Sequence, residues 1–145
     1  MCEPGHRVLA WSLGGFVSER AFAPPDIQIN RASMTNTDRF DAFLRAYAAK
    51  DLEGIAEMLS EGAALRDWDI SVRGRQAVIS ATKTNFDNAA TIAIEVLSVC
   101  ESRDCVAAEL RITVDTSIEL YVVDVIQFDA SGKVLAIRSY KGRSD

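Results

Sequence analysis

Every even position from Val106 to Val114 is apolar (Val106, Ala108, Leu110, Ile112, Val114), whereas odd positions hold Glu109, Arg111 and Thr113. Successive side chains of an extended chain point to opposite faces, so this spacing specifies a β-strand with one buried and one wetted face. A sheet that is covered on one side only is antiparallel as a rule. The flanking segments agree. Thr91 to Cys100 precedes the strand through Glu101-Ser102-Arg103-Asp104, Ile118 to Phe128 follows Asp115-Thr116-Ser117, and Asp129-Ala130-Ser131-Gly132 leads into Lys133 to Tyr140. Four long strands joined by hairpin-sized links predict an antiparallel meander.

Ahead of the strands the period is helical. Thr35-Asn36-Thr37-Asp38 offers N-cap residues before Phe40, Phe43, Leu44 and Tyr47, which recur on one helical face. Asp51 can cap a second, shorter helix carrying Leu52, Ile55, Met58 and Leu59, with Gly62 at the end where a left-handed residue is favoured. Ala63 to Trp68 reads as a short strand. Gly74 precedes a third helix with Val78, Ile79, Thr82 and Phe86 on one side. Helices gathered before a meander predict an α+β domain with the helices on one face of the sheet.

The 145 residues suit one domain with one core. The first 33 carry all three prolines and no sustained period, so they are expected to be a disordered extension or a product of an early start, with the domain running from Met34 to Asp145. Arg7, the run Val8 to Val17 and Ala21-Phe22-Ala23 imitate a secretory signal, but Glu3, Glu19, Arg20 and Pro24 are misplaced for one, and a cytoplasmic location is expected, with export the alternative. The run Val8 to Val17 is broken by Ser12, Gly14 and Gly15 and falls short of a membrane span. A formal charge of −5 opposes nucleic-acid binding. One His without a nearby Cys cluster excludes the common zinc spacings, and phosphate-loop and nucleophile-elbow motifs do not occur, so neither a metal nor another cofactor is expected.

Two carboxyl groups break the apolar pattern. Even positions of the third long strand read Ile118, Leu120, Val122, Asp124, Ile126, Phe128. A carboxylate on such a face must accept hydrogen bonds or take up a proton. It is either a pocket acid donating to a ligand oxygen or a structural Asp satisfied by its neighbours. Asp67 similarly ends the apolar face of Ala63 and Leu65, where partial desolvation would suit a general base, or where it would be an ordinary turn residue in Asp67-Trp68-Asp69.

The strings Phe43 to Ile55, Gly62 to Asp67, Gly74 and Val123 to Val134 resemble the nuclear transport factor 2-like superfamily, in its SnoaL-like and ketosteroid isomerase-like branches. The resemblance spans nearly all of Met34 to Gly142. It implies a cone of three helices wrapped by a curved, mainly antiparallel sheet around a deep pocket. It further implies that Asp67 shuttles a proton between carbons and that Asp124, protonated, helps bind an oxyanion. The helix position that supplies the oxyanion-binding Tyr is Phe43 here, which has no donor. Tyr47 lies one turn on. The epoxide hydrolase branch needs an Asp-Arg-Asp set, and Ser139 stands where one of those acids is expected.

Phe43, Tyr47, Trp68, Phe86 and Val122 are the remaining candidates to line a pocket for a small lipophilic molecule. Cys100 and Cys105 flank the first hairpin link and could be either a cross-strand disulfide or two thiols. Odd positions Tyr121, Val123 and Val125 put apolar surface on the opposite face, where superfamily members commonly pair, and predict a homodimer. Two readings of function follow: a cofactor-independent acid–base enzyme of isomerase or cyclase type using Asp67 and Asp124, and a non-catalytic ligand-binding or dimerisation module.

Overall fold

The computed structural model describes residues 34–143. The leader, residues 1–33, lies outside the described residues.

Helix α1 (Asn36–Ala48) starts at a complete capping box: the Thr35 hydroxyl accepts from the Asp38 amide at 3.1 Å, and the Asp38 carboxylate accepts from the Thr35 amide at 2.9 Å. Two of the amide donors that a helix start leaves unpaired are thereby satisfied. The helix buries Phe40, Phe43, Leu44 and Ala46. Helix α2 (Leu52–Met58) is capped by Asp51, which accepts from the Gly54 amide at 2.9 Å. Helix α3 (Arg75–Asn88) buries Val78, Thr82 and Phe86.

Six strands, β1 (Leu59–Arg66), β2 (Ser71–Arg73), β3 (Ile92–Glu101), β4 (Cys105–Val114), β5 (Ile118–Phe128) and β6 (Val134–Lys141), form one curved open sheet in the order β2-β1-β6-β5-β4-β3. All neighbours are antiparallel except β1 and β6. The meander β3 to β6 matches the expected one. Helix α1 packs against β3 and β4, and α3 against β1 and β2. Phe40, Ile55, Val78, Val106, Leu110, Ile126 and Val134 are fully buried between the layers. No helix among the described residues is long and apolar enough to cross a membrane.

Two expectations need correction, and one open alternative falls away. The second helix ends at Met58 rather than at Gly62, because Leu59 turns extended (φ −81°, ψ 139°) and inserts into the core as the first residue of β1. Gly62 therefore sits inside β1, in an irregular stretch where Leu59 pairs with Val134 and Ala64 already with Ala136. The strand expected to run to Trp68 stops at Arg66, since the Asp67 side chain closes a turn, and β2 follows that turn as a strand too short to show a period. Finally, Cys100 and Cys105 form no cross-strand disulfide, and Cys105 is a free thiol 3.1 Å from the Ser102 hydroxyl. Strand register explains this: Cys100 lies opposite Ala107, while Cys105 pairs with Gln127 on β5.

Candidate functional site

Between the helices and the inner face of the sheet lies a cavity of about 290 Å³. Its walls are mostly apolar, with Phe43 and Leu44 from α1, Ile92 and Ile94 from β3, and Val122 from β5. Into this setting the chain places Asp124, Asp67, Tyr47, Asn85 and Ser139.

Asp124 reaches the cavity because it keeps the even-position phase of β5, between Val122 and Ile126, which are 2% and 0% exposed. Its cross-strand neighbours are Ala108 on β4 and Ser139 on β6. Ala108 has no polar atom in its side chain, and the Ser139 hydroxyl donates to Asp124 Oδ1 at 2.6 Å. Three influences act on the carboxyl. Loss of hydration raises its pKa most, the Ser139 bond opposes the rise, and the charge of Asp67 adds to it, leaving Asp124 at about 6. One hydrogen bond is too little to offset the lost water.

Asp67 stands just past β1, brought beside β6 by the parallel pairing of Leu65 with Ile137. Its Oδ1 accepts from the amides of Asp69 at 2.7 Å and Ile70 at 2.8 Å, and its own amide donates to the Ile70 carbonyl at 3.0 Å. This is an Asx-type turn. Both side-chain bonds fall on Oδ1, which leaves Oδ2 without a hydrogen bond among the described residues. The turn role and the cavity position thus coexist in one side chain.

Tyr47 lies one helical turn beyond Phe43, and their ring centroids are 6.2 Å apart. Both line the cavity. The Tyr47 hydroxyl accepts from Asn85 Nδ2 at 3.1 Å, and burial holds the phenol above its ordinary pKa, with the charges of Asp124 and Asp67 pushing the same way. Val122 lines the cavity as expected from its phase. Trp68 is at the rim, 44% exposed, with the Lys141 ammonium 5.8 Å from its ring centroid. Phe86 is a correction: it is absent from the lining and packs edge-on against Tyr47 at 4.9 Å, 4% exposed. On α3 the residues that do face the cavity are Thr82, Asn85 and Asn88, and Phe86 points past them into the core.

Asn85 and Ser139 are polar members that the sequence pattern did not single out as cavity residues. The available signal was spacing: Asn85 is three residues from the inward Thr82, and Ser139 shares its strand face with Ile137. Together the groups can hold an apolar molecule, present a carboxyl that gains or loses a proton near neutrality, and set a second carboxylate on the same space.

A family model for the SnoaL-like domain matches residues 40–137. No curated protein sequence matches the chain. Among solved structures, the chain is similar to SalBIII, an epoxide hydrolase/cyclase-like enzyme in pyran ring formation of the polyether salinomycin (21% identity, 76% of this chain and 92% of that one, TM-score 0.65). It is also similar to an LEH-like epoxide hydrolase of M. tuberculosis (14%, 74% and 82%, TM-score 0.65). A third similar structure is an NTF-2 like protein of unknown function from Burkholderia xenovorans (18%, 76% and 84%, TM-score 0.65). At such identities these likenesses speak for the fold alone, and the fold they share is the one described above. The family match covers most of the chain, so this protein belongs to the SnoaL-like domain family of the nuclear transport factor 2-like superfamily.

Proposed function

We propose that the protein binds a small lipophilic molecule and catalyses a cofactor-independent acid–base reaction of the isomerase or cyclase type. Asp67 acts as base through Oδ2, which has no hydrogen bond among the described residues, and Asp124 acts as the acid or hydrogen-bond donor. The observation that carries this reading is that both carboxyls line one apolar cavity and that Asp124 sits at about 6, where a group exchanges protons efficiently at physiological pH. The likeness to a cyclase-like enzyme is consistent with it. A hollow of about 250 Å³ on the opposite face, lined by Glu109, Tyr121 and Val123, offers no comparable convergence of carboxyls.

The test is proton exchange in D₂O at the carbon next to the carbonyl of a cyclic β,γ-unsaturated ketone, followed by NMR. Wild type should exchange well above the buffer rate, and Asp67→Asn should lose at least a hundredfold. Exchange at the buffer rate in wild type would replace the enzyme reading with the non-catalytic ligand-binding module, which the absence of a donor at Phe43 favours.

A further inference from the structure

Thr82 is the one polar residue among those described that is buried as deeply as the core, at 2% exposure. It stands at the middle of α3, and Val78 and Phe86, one turn away on either side, belong to the packed core. A threonine inside a helix has the carbonyl four residues back as its local acceptor, and Thr84 donates to Ser80 in this way at 3.1 Å. The Thr82 hydroxyl makes no hydrogen bond among the described residues. Nor is it sealed in, as the unpaired Ser60 Oγ is. Thr82 also lines the cavity. Its free hydroxyl therefore borders that space, with one proton to donate and two lone pairs to accept.

The same face of α3 continues toward the mouth. Asn85 and Asn88 follow Thr82 at three-residue steps, line the cavity and are exposed, so this polar row runs inward over about 9 Å and ends at Thr82. Charge on the cavity wall is one-sided: Asp67, Asp69 and Asp124 border it, and no Lys, Arg or His among the described residues does. An anionic group on a ligand would find no counter-ion there, and Thr82 has no charge to offer a cation.

We infer that Thr82 is a specificity-determining residue whose hydroxyl pairs with a hydroxyl on the buried end of a neutral lipophile, so that the cavity takes a hydroxylated ligand in preference to its deoxy counterpart. The inference deepens the proposed function and rests on that reading of the cavity. A ligand that fills the cavity takes water away from Thr82. A deoxy ligand then leaves the hydroxyl buried and unpaired, whereas a hydroxylated one replaces the lost bond. A ligand hydroxyl suits Thr82 in either direction, because each group both donates and accepts. Discrimination thus comes from a penalty on the deoxy ligand as well as from attraction to the hydroxylated one.

Thr82→Val removes the hydroxyl at nearly constant shape, and Thr82→Ser keeps it. The probes are α-tetralone, which carries the carbonyl that the proposed function requires, and the set of its monohydroxy derivatives on the aromatic ring. Titration calorimetry on the full chain gives Kd for each. Wild type and Thr82→Ser should prefer the best of the hydroxylated compounds to α-tetralone. In Thr82→Val that preference should fall by about tenfold, through weaker binding of the hydroxylated compound and equal or tighter binding of α-tetralone. The thermal melt of ligand-free Thr82→Val should lie at or above that of wild type, since a buried hydroxyl without a protein partner gives way to a methyl. No preference in wild type, or one that is unchanged in Thr82→Val, overturns the role of Thr82 while the proposed cavity stands. A Thr82→Val melt well below wild type overturns it too, because the hydroxyl would then be paired within the fold. If neither α-tetralone nor any derivative binds wild type, the inference falls together with the reading on which it rests.

Discussion

Ser139 and Asp124 face each other across the β5–β6 pair, and the 2.6 Å bond from the Ser139 hydroxyl to Asp124 Oδ1 is, among the described residues, the single hydrogen bond that holds this carboxyl on an otherwise apolar strand face. Burial outweighs it and keeps Asp124 at about 6, above the ordinary carboxyl value of 3.8. The consequence is a fold that is stabilised by the protonated form.

Asp124→Asn should therefore change stability in a pH-dependent way. The folded pKa is above the unfolded one, so the unfolded chain releases this proton first, and wild type loses stability as pH rises from about 4 through about 6, by about 2–3 kcal/mol. Asn carries no such proton. Denaturant melts across this range should show Asp124→Asn equal to wild type near pH 4 and gaining on it toward pH 8. A difference that stays constant with pH, or that grows in favour of wild type, would mean an ionised structural Asp.

Ser139→Ala removes the group that opposes the rise. The Asp124 carboxyl should then titrate above about 6 in a carboxyl-carbon NMR titration. An unchanged or lower midpoint would show that this bond does not form in solution.

At Asp67, turn and chemistry separate by substitution. Asn retains the oxygen that accepts from the Asp69 and Ile70 amides, so Asp67→Asn should melt close to wild type, while Asp67→Ala loses both bonds and about 1–2 kcal/mol. Removing the negative charge should also lower the Asp124 midpoint in either variant, since Asp67 raises it. Differential scanning calorimetry with the same NMR titration checks both parts.

Two phenylalanines on α1 should respond differently to truncation. Phe40 is 0% exposed within the packed core, and Phe40→Ala should cost about 3–5 kcal/mol in urea melts. Phe43 already borders empty space. Phe43→Ala should cost distinctly less and should enlarge the cavity enough to admit bulkier ketones, read by titration calorimetry with ligands of increasing size.

The outer face of the sheet is proposed as the contact of a homodimer. Val123 is 40% exposed there and Tyr140, its partner in the β5–β6 register, 48%. Light scattering at micromolar concentration should give twice the chain mass, and Val123→Arg should return it to the monomer. A monomer mass for wild type removes this contact.

What could be read from the chain alone was whatever local spacing dictates. The alternation along Cys105 to Val114 and Ile118 to Phe128 sets which side chains share a face, because a period of two is a property of any extended backbone, and it marked Asp124 as the one charge on a buried face. The Thr35 and Asp51 caps were legible for the same reason, since a cap and its amide are three residues apart. The end of α2 was not: Gly62 is a good local stop, but burying Leu59 in the core gains more than another helical turn. Likewise the parallel pairing of β1 with β6 joins residues far apart in sequence, and nothing in either segment encodes it. That pairing brings Asp67 beside the strand of Ser139, and the packing of α1 with α3 brings Asn85 to Tyr47 across 38 positions. The carboxyls could be singled out by pattern, whereas their shared cavity, the bond from Ser139 and the bond from Asn85 to Tyr47 arise from non-local contacts, whose energies exist only once the chain has closed on itself.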